Sequence, residues 1–368
     1  MKDPLEHLED PAEQRPNLAA DSFRGRTVLV VGGGGSIGAA CAWLAARLGA
    51  RVVIAGRKPD KLEAVVRAMA LRGLVCEAST VDIRERDSVE ALFDFCIEKG
   101  GLPDLVVQSA GGQFPSEALS ISEKGWKAVV DTNLNGSFNV MQCAARRWRG
   151  DARGGSLVNI VVSPRGLHGV SHTVAARAGV VAFSEAVAVE WAPLGIRVNC
   201  VGPGAVVSAG WAVYKPEVRA LYGNTSPMRD AGTPWQIAEA ALFIGGPAGG
   251  FITGETLQVN GGGHLWGEAW TIPKPEWFRE ATRSIDAAPV PDPSPSSRGS
   301  GFARTACLTT TTWGRSLCYA FIFPRASFRD RFCSWHRIGY GAAGHPHHCP
   351  RAGWRRHRCI FPVRRQGG

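Results

Sequence analysis

Seven consecutive residues, Gly32-Gly33-Gly34-Gly35-Ser36-Ile37-Gly38, have the composition of a phosphate cradle. Glycines let a backbone turn tightly and approach a pyrophosphate. A helix starting directly after them offers free N–H groups and the positive end of its dipole. The segment follows the apolar run Thr27–Val31 and opens a helical stretch, the context a dinucleotide loop needs. Gly32, Gly34, Ser36, Ile37 and Gly38 are therefore candidate cofactor residues. The next apolar run ends in Ala55-Gly56-Arg57-Lys58. A site that selects NAD places a carboxylate there for the ribose 2′-OH. This one has none, and Arg57 with Lys58 can pair with a 2′-phosphate. The expected cofactor is NADPH, preferred over NADH. Asp82, closing the expected third strand, stands where a carboxylate would contact adenine.

The elements that must position these residues are legible as alternating segments. Short apolar runs occur at Thr27–Val31, Arg51–Ala55, Leu105–Gln108, Ser156–Val162, Arg197–Val201 and Leu257–Val259. Each is unbroken rather than alternating, as expected of strands buried on both faces in a parallel sheet. Between them lie helical stretches such as Ile37–Leu48, whose Ile37, Cys41, Leu44 and Leu48 share one face. The expected fold class is α/β, a single doubly wound domain over residues 23–284. Residues 1–22 are polar and read as a flexible extension.

Composition excludes several function classes. The chain has 368 residues, 45% hydrophobic and 20% charged, as in soluble globular proteins. No apolar run reaches the length of about 18 residues that a spanning helix needs. The acidic N-terminus lacks the apolar segment of a secretory signal, so the expected location is cytoplasmic. The formal charge of +10 suggests nucleic acid until it is mapped. Residues 285–368 hold 13 Arg, no Lys and three acidic residues, so the whole excess sits there and the body is neutral. That segment is linker-like and then rich in Arg, Pro, Gly and Cys. The reading is a disordered tail or a frameshifted end, set against a basic nucleic-acid or metal-binding tail using Cys333, His336, His345, His347, His348 and Cys349. No zinc spacing is present, so no metal is expected. Cys41, Cys76, Cys96, Cys143 and Cys200 stand singly in apolar segments and read as buried hydrophobes.

Taken together, these motifs resemble the short-chain dehydrogenase/reductase family over about residues 23–270. Beside the glycine loop, the resemblance rests on Gln108-Ser109-Ala110-Gly111 and Asp131-Thr132-Asn133-Leu134-Asn135-Gly136. It rests also on Gly202-Pro203-Gly204 and on Ile252-Thr253-Gly254-Glu255 through Asn260-Gly261-Gly262. The family implies a Rossmann-type, mostly parallel seven-stranded sheet and a homodimer or homotetramer. It implies that Ala110, Gly111, Pro203 and Gly204 line the nicotinamide site and that Asn133 lines the active site. Gly111-Gly112-Gln113-Phe114, His172 through Val180 and Glu190 through Cys200 look like its trans-2-enoyl-CoA reductase and 2,4-dienoyl-CoA reductase branch. Bacterial citronellol or citronellal dehydrogenases are similar too. The long helix expected over Thr173–Trp191 would pack Val180, Phe183, Val187 and Trp191 in a subunit interface.

The family's catalytic Ser, Tyr and Lys are all absent. The Lys position holds Arg177, the Tyr position Thr173 and the Ser position Val162, with Ser163 beside it. No Tyr occurs before Tyr214. Reducing a ketone makes an alkoxide that needs a well-placed acid, worth about 10²–10⁴ in rate. Reducing a C=C conjugated to a thioester instead builds charge on the thioester oxygen, for which a hydrogen-bond donor suffices. Donor candidates are Ser163, His172, Thr173 and, from the segment after Pro203, Tyr214. Arg177 would keep the Lys's hydrogen bond to the nicotinamide ribose with a fixed charge. The expected activity is NADPH-dependent reduction of trans-2-enoyl-CoA-type thioesters, with an acyl-CoA or other small apolar substrate. The alternatives are a citronellol/citronellal-type dehydrogenase and a nucleotide-binding pseudoenzyme subunit.

Overall fold

The computed structural model describes residues 14, 16–163, 165, 167–219, 222–266 and 271. The first thirteen residues and the expected tail over 285–368 lie outside them. Seven strands form one sheet: β1 (Thr27–Val31), β2 (Arg51–Gly56), β3 (Cys76–Thr80), β4 (Leu105–Gln108), β5 (Gly155–Ile160), β6 (Ile196–Pro203) and β7 (Thr256–Val259). Every pairing is parallel, in the order β3-β2-β1-β4-β5-β6-β7. The helices are α1 (Ser36–Arg47), α2 (Pro59–Ala70), α3 (Arg86–Gly100), α4 (Glu123–Val130), α5 (Gly136–Gly150), α6 (Ser171–Trp191), α7 (Pro216–Arg219) and α8 (Pro234–Gly245). The strand order reverses between β1 and β4, which opens a crevice at their carboxyl ends, where ligands of such folds bind.

The unbroken apolar strands are explained by two cores. Val28 and Val30 of β1, with Val52 and Ile54 of β2, pack under α1 and α8. Leu29, Val31, Val53 and Ala55 face the other way, toward α3, α5 and α6. Neither face meets water, so no polar alternation arises. The interface expected on α6 is altered: Val180 and Val187 are 1% and 3% exposed and point into the protein. Phe183 and Trp191 are only partly buried, and Val189 is exposed. The five body cysteines are buried and unpaired, and burial pushes the thiols of Cys41, Cys76 and Cys96 up to about 12. Packing also begins ahead of residue 23. Asn17 donates from its backbone to Glu239 Oε1 (2.9 Å), and Leu18 packs against the core.

Arg197 of β6 closes the end of α8. Its Nη1 donates to the carbonyls of Ile244 (2.8 Å), Gly249 (2.8 Å) and Ile252 (3.0 Å). Its Nη2 donates to Gly245 (2.8 Å) and Gly246 (3.2 Å). Carbonyls at a helix C-terminus lack intrahelical partners, and one guanidinium reaches three there (Ile244, Gly245 and the cap Gly246) and two in the turn beyond. This holds β6 and its exit at Pro203 in place. Replacing Arg197 by Leu strands these carbonyls and is expected to lower the unfolding free energy by about 3 kcal/mol. Denaturant titration would check it; a loss below about 1 kcal/mol would show that the clamp is dispensable.

Candidate active site

The glycine loop is required by contact. Gly32 has φ +89°, and a Cβ there would lie 2.6 Å from Ala110 N. A Cβ on Gly38 would lie 2.3 Å from the Gly32 carbonyl oxygen. Larger residues would push β1 from β4 or α1 from its own loop. The N-cap of α1 is Gly35, which brings no capping side chain, and no acid stands in the first turn. The amides of Ser36, Ile37 and Gly38 belong to the set that no helical carbonyl reaches. With the dipole they suit a pyrophosphate. The Ser36 hydroxyl oxygen accepts from the N–H of Ala209 (3.1 Å), which ties the segment after β6 to the start of α1. Ile37 lines the main cavity.

At the expected adenosine end, Arg57 and Lys58 are exposed just past β2. Asp82 follows β3, but its carboxylate is already engaged. It accepts from Arg84 Nε at 2.9 and 3.1 Å and from the Arg84 backbone N–H at 3.1 Å. The Arg84 hydrogen bonds hold the Asp82 carboxyl down at about 2, and the charge of Arg57 contributes in the same direction. Arg84 was not among the expected site residues; its signal was the spacing of an acid and a base two positions apart.

The other half of the site converges on Gly111. Arg177, on α6, is 6% exposed and donates from Nη2 to the Ala110 carbonyl (3.0 Å). Its Nη1 is buried without a protein partner. Burial pushes the guanidinium down to about 10, which leaves it a cation at neutral pH. Asn133 sits in a π-helical turn, Asp131–Asn135, between α4 and α5. Its Nδ2 donates to the carbonyls of Gly112 (2.7 Å) and Val129 (2.9 Å), and its Oδ1 accepts from Gly112 N–H (3.3 Å). A Cβ on Gly111 would lie 2.0 Å from Arg177 Nη2 and 2.6 Å from Asn133 Oδ1. A Cβ there would have to move one of them.

These groups border a cavity of about 840 Å³ over the carboxyl ends of the central strands. It is lined by Ser109, Gly111, Asn133, Ser163, Thr173 and Arg177, by Pro203, Gly204, Trp211, Val213 and Tyr214 from β6 and the segment after it, and by Asn260, His264 and Trp266 from the segment after β7. Thr173 is 2% exposed, and its Oγ1 has no protein partner. Ser163 Oγ accepts from Asn260 Nδ2 (3.1 Å). His172 is not brought to the cavity. It is fully buried, both ring nitrogens lack partners, and its ring lies edge-on to Phe114 at 4.5 Å between centroids. Sequence reasoning missed Asn260 and His264, whose only signal is their place just after the last strand. A smaller cavity of about 230 Å³, bordered by Arg26, Asp104 and Arg197, is lined by none of these groups.

The residues present fit a dinucleotide. The loop offers amides without side chains over them, and Arg177, which lines the cavity, carries a buried nitrogen without a protein partner. Fold and site thus define a dinucleotide-dependent oxidoreductase. A family model described as "Enoyl-(Acyl carrier protein) reductase" matches residues 32–264. The 3-oxoacyl-[acyl-carrier-protein] reductase of Chlamydia muridarum is 33% identical over 64% of this chain and 96% of its own length. The peroxisomal 2,4-dienoyl-CoA reductase of Rattus norvegicus is 32% identical over 66% of this chain and 85% of its own. The solved structure of a citronellol catabolism dehydrogenase from Pseudomonas aeruginosa PAO1 superposes with a TM-score of 0.61. It is 33% identical, with 68% of this chain and all of that one covered. The chain belongs to the short-chain dehydrogenase/reductase family and is an NAD(P)-dependent short-chain oxidoreductase.

Two outcomes follow from this geometry. Gly111→Ala must displace Arg177 or Asn133 and is expected to cost about 2–3 kcal/mol of stability; an unchanged thermal midpoint would contradict the close packing. Asp82 has a lowered pKa, so its contribution is present above its unfolded value of 3.8 and fades as the pH falls toward about 2. Asp82→Asn is expected to flatten the stability–pH curve in that window alone. A variant curve parallel to the wild type there would show that the Arg84 pair contributes nothing.

Proposed function

We propose that this chain is an NADPH-dependent reductase of the C=C bond in trans-2-enoyl-CoA-type thioesters. The observation that carries the reading is Thr173. It stands where the family's tyrosine acid would, with a buried, unpartnered hydroxyl on the cavity wall. An aliphatic hydroxyl is a poor acid for an alkoxide but an adequate donor for a carbonyl oxygen that gains charge. The reduced nicotinamide, when bound, supplies hydride. The protein's task is then to orient the thioester, exclude water and hold the oxygen. Thr173 and Ser163 are the hydroxyls on that wall, and Ser163 is oriented by Asn260. Asn133 acts on the backbone of residue 112, so its role is to position the β4 exit. Arg177 offers Nη1 to the nicotinamide ribose, as the Lys does in the family. His172 supports the wall from behind.

Gly32, Gly34, Ser36, Ile37 and Gly38 would hold the pyrophosphate, with Ala110, Gly111, Pro203 and Gly204 around the nicotinamide. Arg57 and Lys58 would take the 2′-phosphate, with Arg84 and Asp82 beside them at the adenine end. Ile160, Val161, Val162, Trp211, Val213 and Leu265 border the same cavity and suit an acyl chain. A homodimer or homotetramer would cover the outer side of α6, where Val189 is exposed. Among the described residues no helix is long and apolar enough to cross a membrane. A cytoplasmic location and a separate tail from about residue 285 complete the proposal. The likeness to the citronellol catabolism dehydrogenase favours a terpenoid aldehyde as the second reading.

The test is NADPH oxidation with trans-2-enoyl-CoA thioesters and with citronellal, for wild type and Arg57→Asp. Turnover of the thioesters, with KM for NADPH raised at least about tenfold by Arg57→Asp, is the expected result. Turnover of citronellal alone would overturn the thioester reading. NADPH binding with no turnover of either would favour a pseudoenzyme.

A further inference from the structure

Three strand exits are laced together at Pro203 and Gly204. Ser163, after β5, donates its backbone N–H to the Pro203 carbonyl (3.1 Å), and Gly204 N–H donates to the Val259 carbonyl (3.1 Å). A Cβ on Gly204 would lie 2.8 Å from Asn260 Cβ. Ser163 and Asn260 are buried, His264 is half-buried, and all three line the large cavity. The direction of each hydrogen bond among them is fixed. Gly262 N–H donates to Asn260 Oδ1 (3.1 Å), and a backbone N–H can only donate, so that atom is the oxygen of the amide. Asn260 Nδ2 then donates to Ser163 Oγ (3.1 Å) and to Gln258 Oε1 (3.1 Å). His264 Nδ1 lies 3.0 Å from the same Oδ1. An amide oxygen carries no hydrogen, so His264 must donate from Nδ1. Ser163 Oγ thus accepts from Asn260, and among the described residues no acceptor takes its own hydrogen.

We propose that Asn260, braced by His264, is a positioning residue that keeps the Ser163 hydroxyl turned to give its hydrogen to the substrate's carbonyl oxygen. The proposal rests on the enoyl-thioester reading. In that reading Pro203 and Gly204 flank the nicotinamide, so the hydroxyl is tied to the segment that meets the ring. The new C–H bond forms at Cβ with hydride from a reduced nicotinamide. The C=C π pair moves to join Cα to the carbonyl carbon, and the carbonyl π pair moves to oxygen. The Ser163 O–H hydrogen-bonds the oxygen that gains this charge. As the carbonyl re-forms, Cα takes a proton from water, leaving a saturated thioester and an oxidised nicotinamide. Because Asn260 Nδ2 is a donor, Ser163 cannot spend its hydrogen there and offers it to the cavity. Thr173 has no such neighbour. Its Oγ1 is buried without a protein partner, so nothing sets the direction of its hydrogen.

The first readout needs no substrate. The histidines of the full chain are labelled with a nitrogen isotope, and the His264 ring signals are identified by NMR from their loss in His264→Leu. Under mildly alkaline conditions the ring is expected to carry its hydrogen on Nδ1; a hydrogen on Nε2 instead overturns the proposal. The second readout is the carbonyl infrared band of a bound trans-2-enoyl-CoA isotope-labelled at the carbonyl carbon. Wild type is expected to lower the band frequency, and Ser163→Ala to lose most of that shift. Asn260→Asp keeps the shape of the side chain but replaces the donor by an acceptor, so the Ser163 hydrogen turns back toward it. It is expected to lose as much of the shift as Ser163→Ala while still binding NADPH, and to lower kcat about 10²-fold. His264→Leu, which acts through Asn260, is expected to shrink the shift and to lower kcat about fivefold with KM little changed. A shift retained in Ser163→Ala or in Asn260→Asp overturns the proposal. If Asn260→Asp does not fold, His264→Leu decides in its place, and a full shift there overturns the proposal. If wild type binds no enoyl-CoA, the thioester reading is what has failed. The same band measured on bound citronellal then decides: a shift lost in both Ser163→Ala and Asn260→Asp supports the positioning role, and a shift retained in either overturns it. Binding of neither carbonyl overturns both.

Discussion

A buried guanidinium pressed against a glycine sets the geometry of the whole cavity. Arg177 reaches from α6 to the exit of β4, and Asn133 reaches the same place from the π turn between α4 and α5. A side chain at Gly111 would have to displace Arg177 or Asn133. Three elements that are remote in sequence therefore meet at one point. One nitrogen of the guanidinium makes that junction, and the other is buried without a protein partner. A buried cation with an unmet donor is costly on its own, and a ribose or other oxygen-rich ligand would relieve it.

The rest of the fold keeps this junction in place. Sheet strands buried on both faces fix the heights of the β1, β4, β5 and β6 exits. Arg197 ties β6 to the end of α8, so Pro203 and Gly204 leave the sheet at a set position. From there the chain crosses the cavity, touches α1 at Ser36 and delivers Tyr214 to Gln113. The positions of the family's Ser, Tyr and Lys are taken by Val162, Thr173 and Arg177, and all three line the cavity.

Much of this was legible in sequence because it is local. Unbroken apolar runs identify strands with no wet face, and a glycine cluster between strand and helix identifies a phosphate loop. Gly32 and Gly38 read from sequence as a tight turn beside a pyrophosphate; the folded chain adds that both are packed against its own backbone. What stayed hidden depends on contacts between distant segments. Nothing near His172 says that its ring turns toward Phe114 rather than the cavity. Val180 and Val187 read equally well as interface or core until the facing strands are known. The engagement of Asp82 by Arg84, and the meeting of Gln113 with Tyr214, need the folded chain. Asn133 was expected at the site, but its π turn and its use by the backbone of residue 112 have no signature in the residues alone.

In the proposed reaction hydride goes to the β-carbon of the enoyl thioester and the carbonyl stays intact. The most direct measurement is to run the reaction with reduced nicotinamide deuterated at its transferable position and locate the label in the product by NMR. Enoyl reduction places deuterium at Cβ of a saturated thioester. Deuterium at the former carbonyl carbon of an alcohol would contradict it.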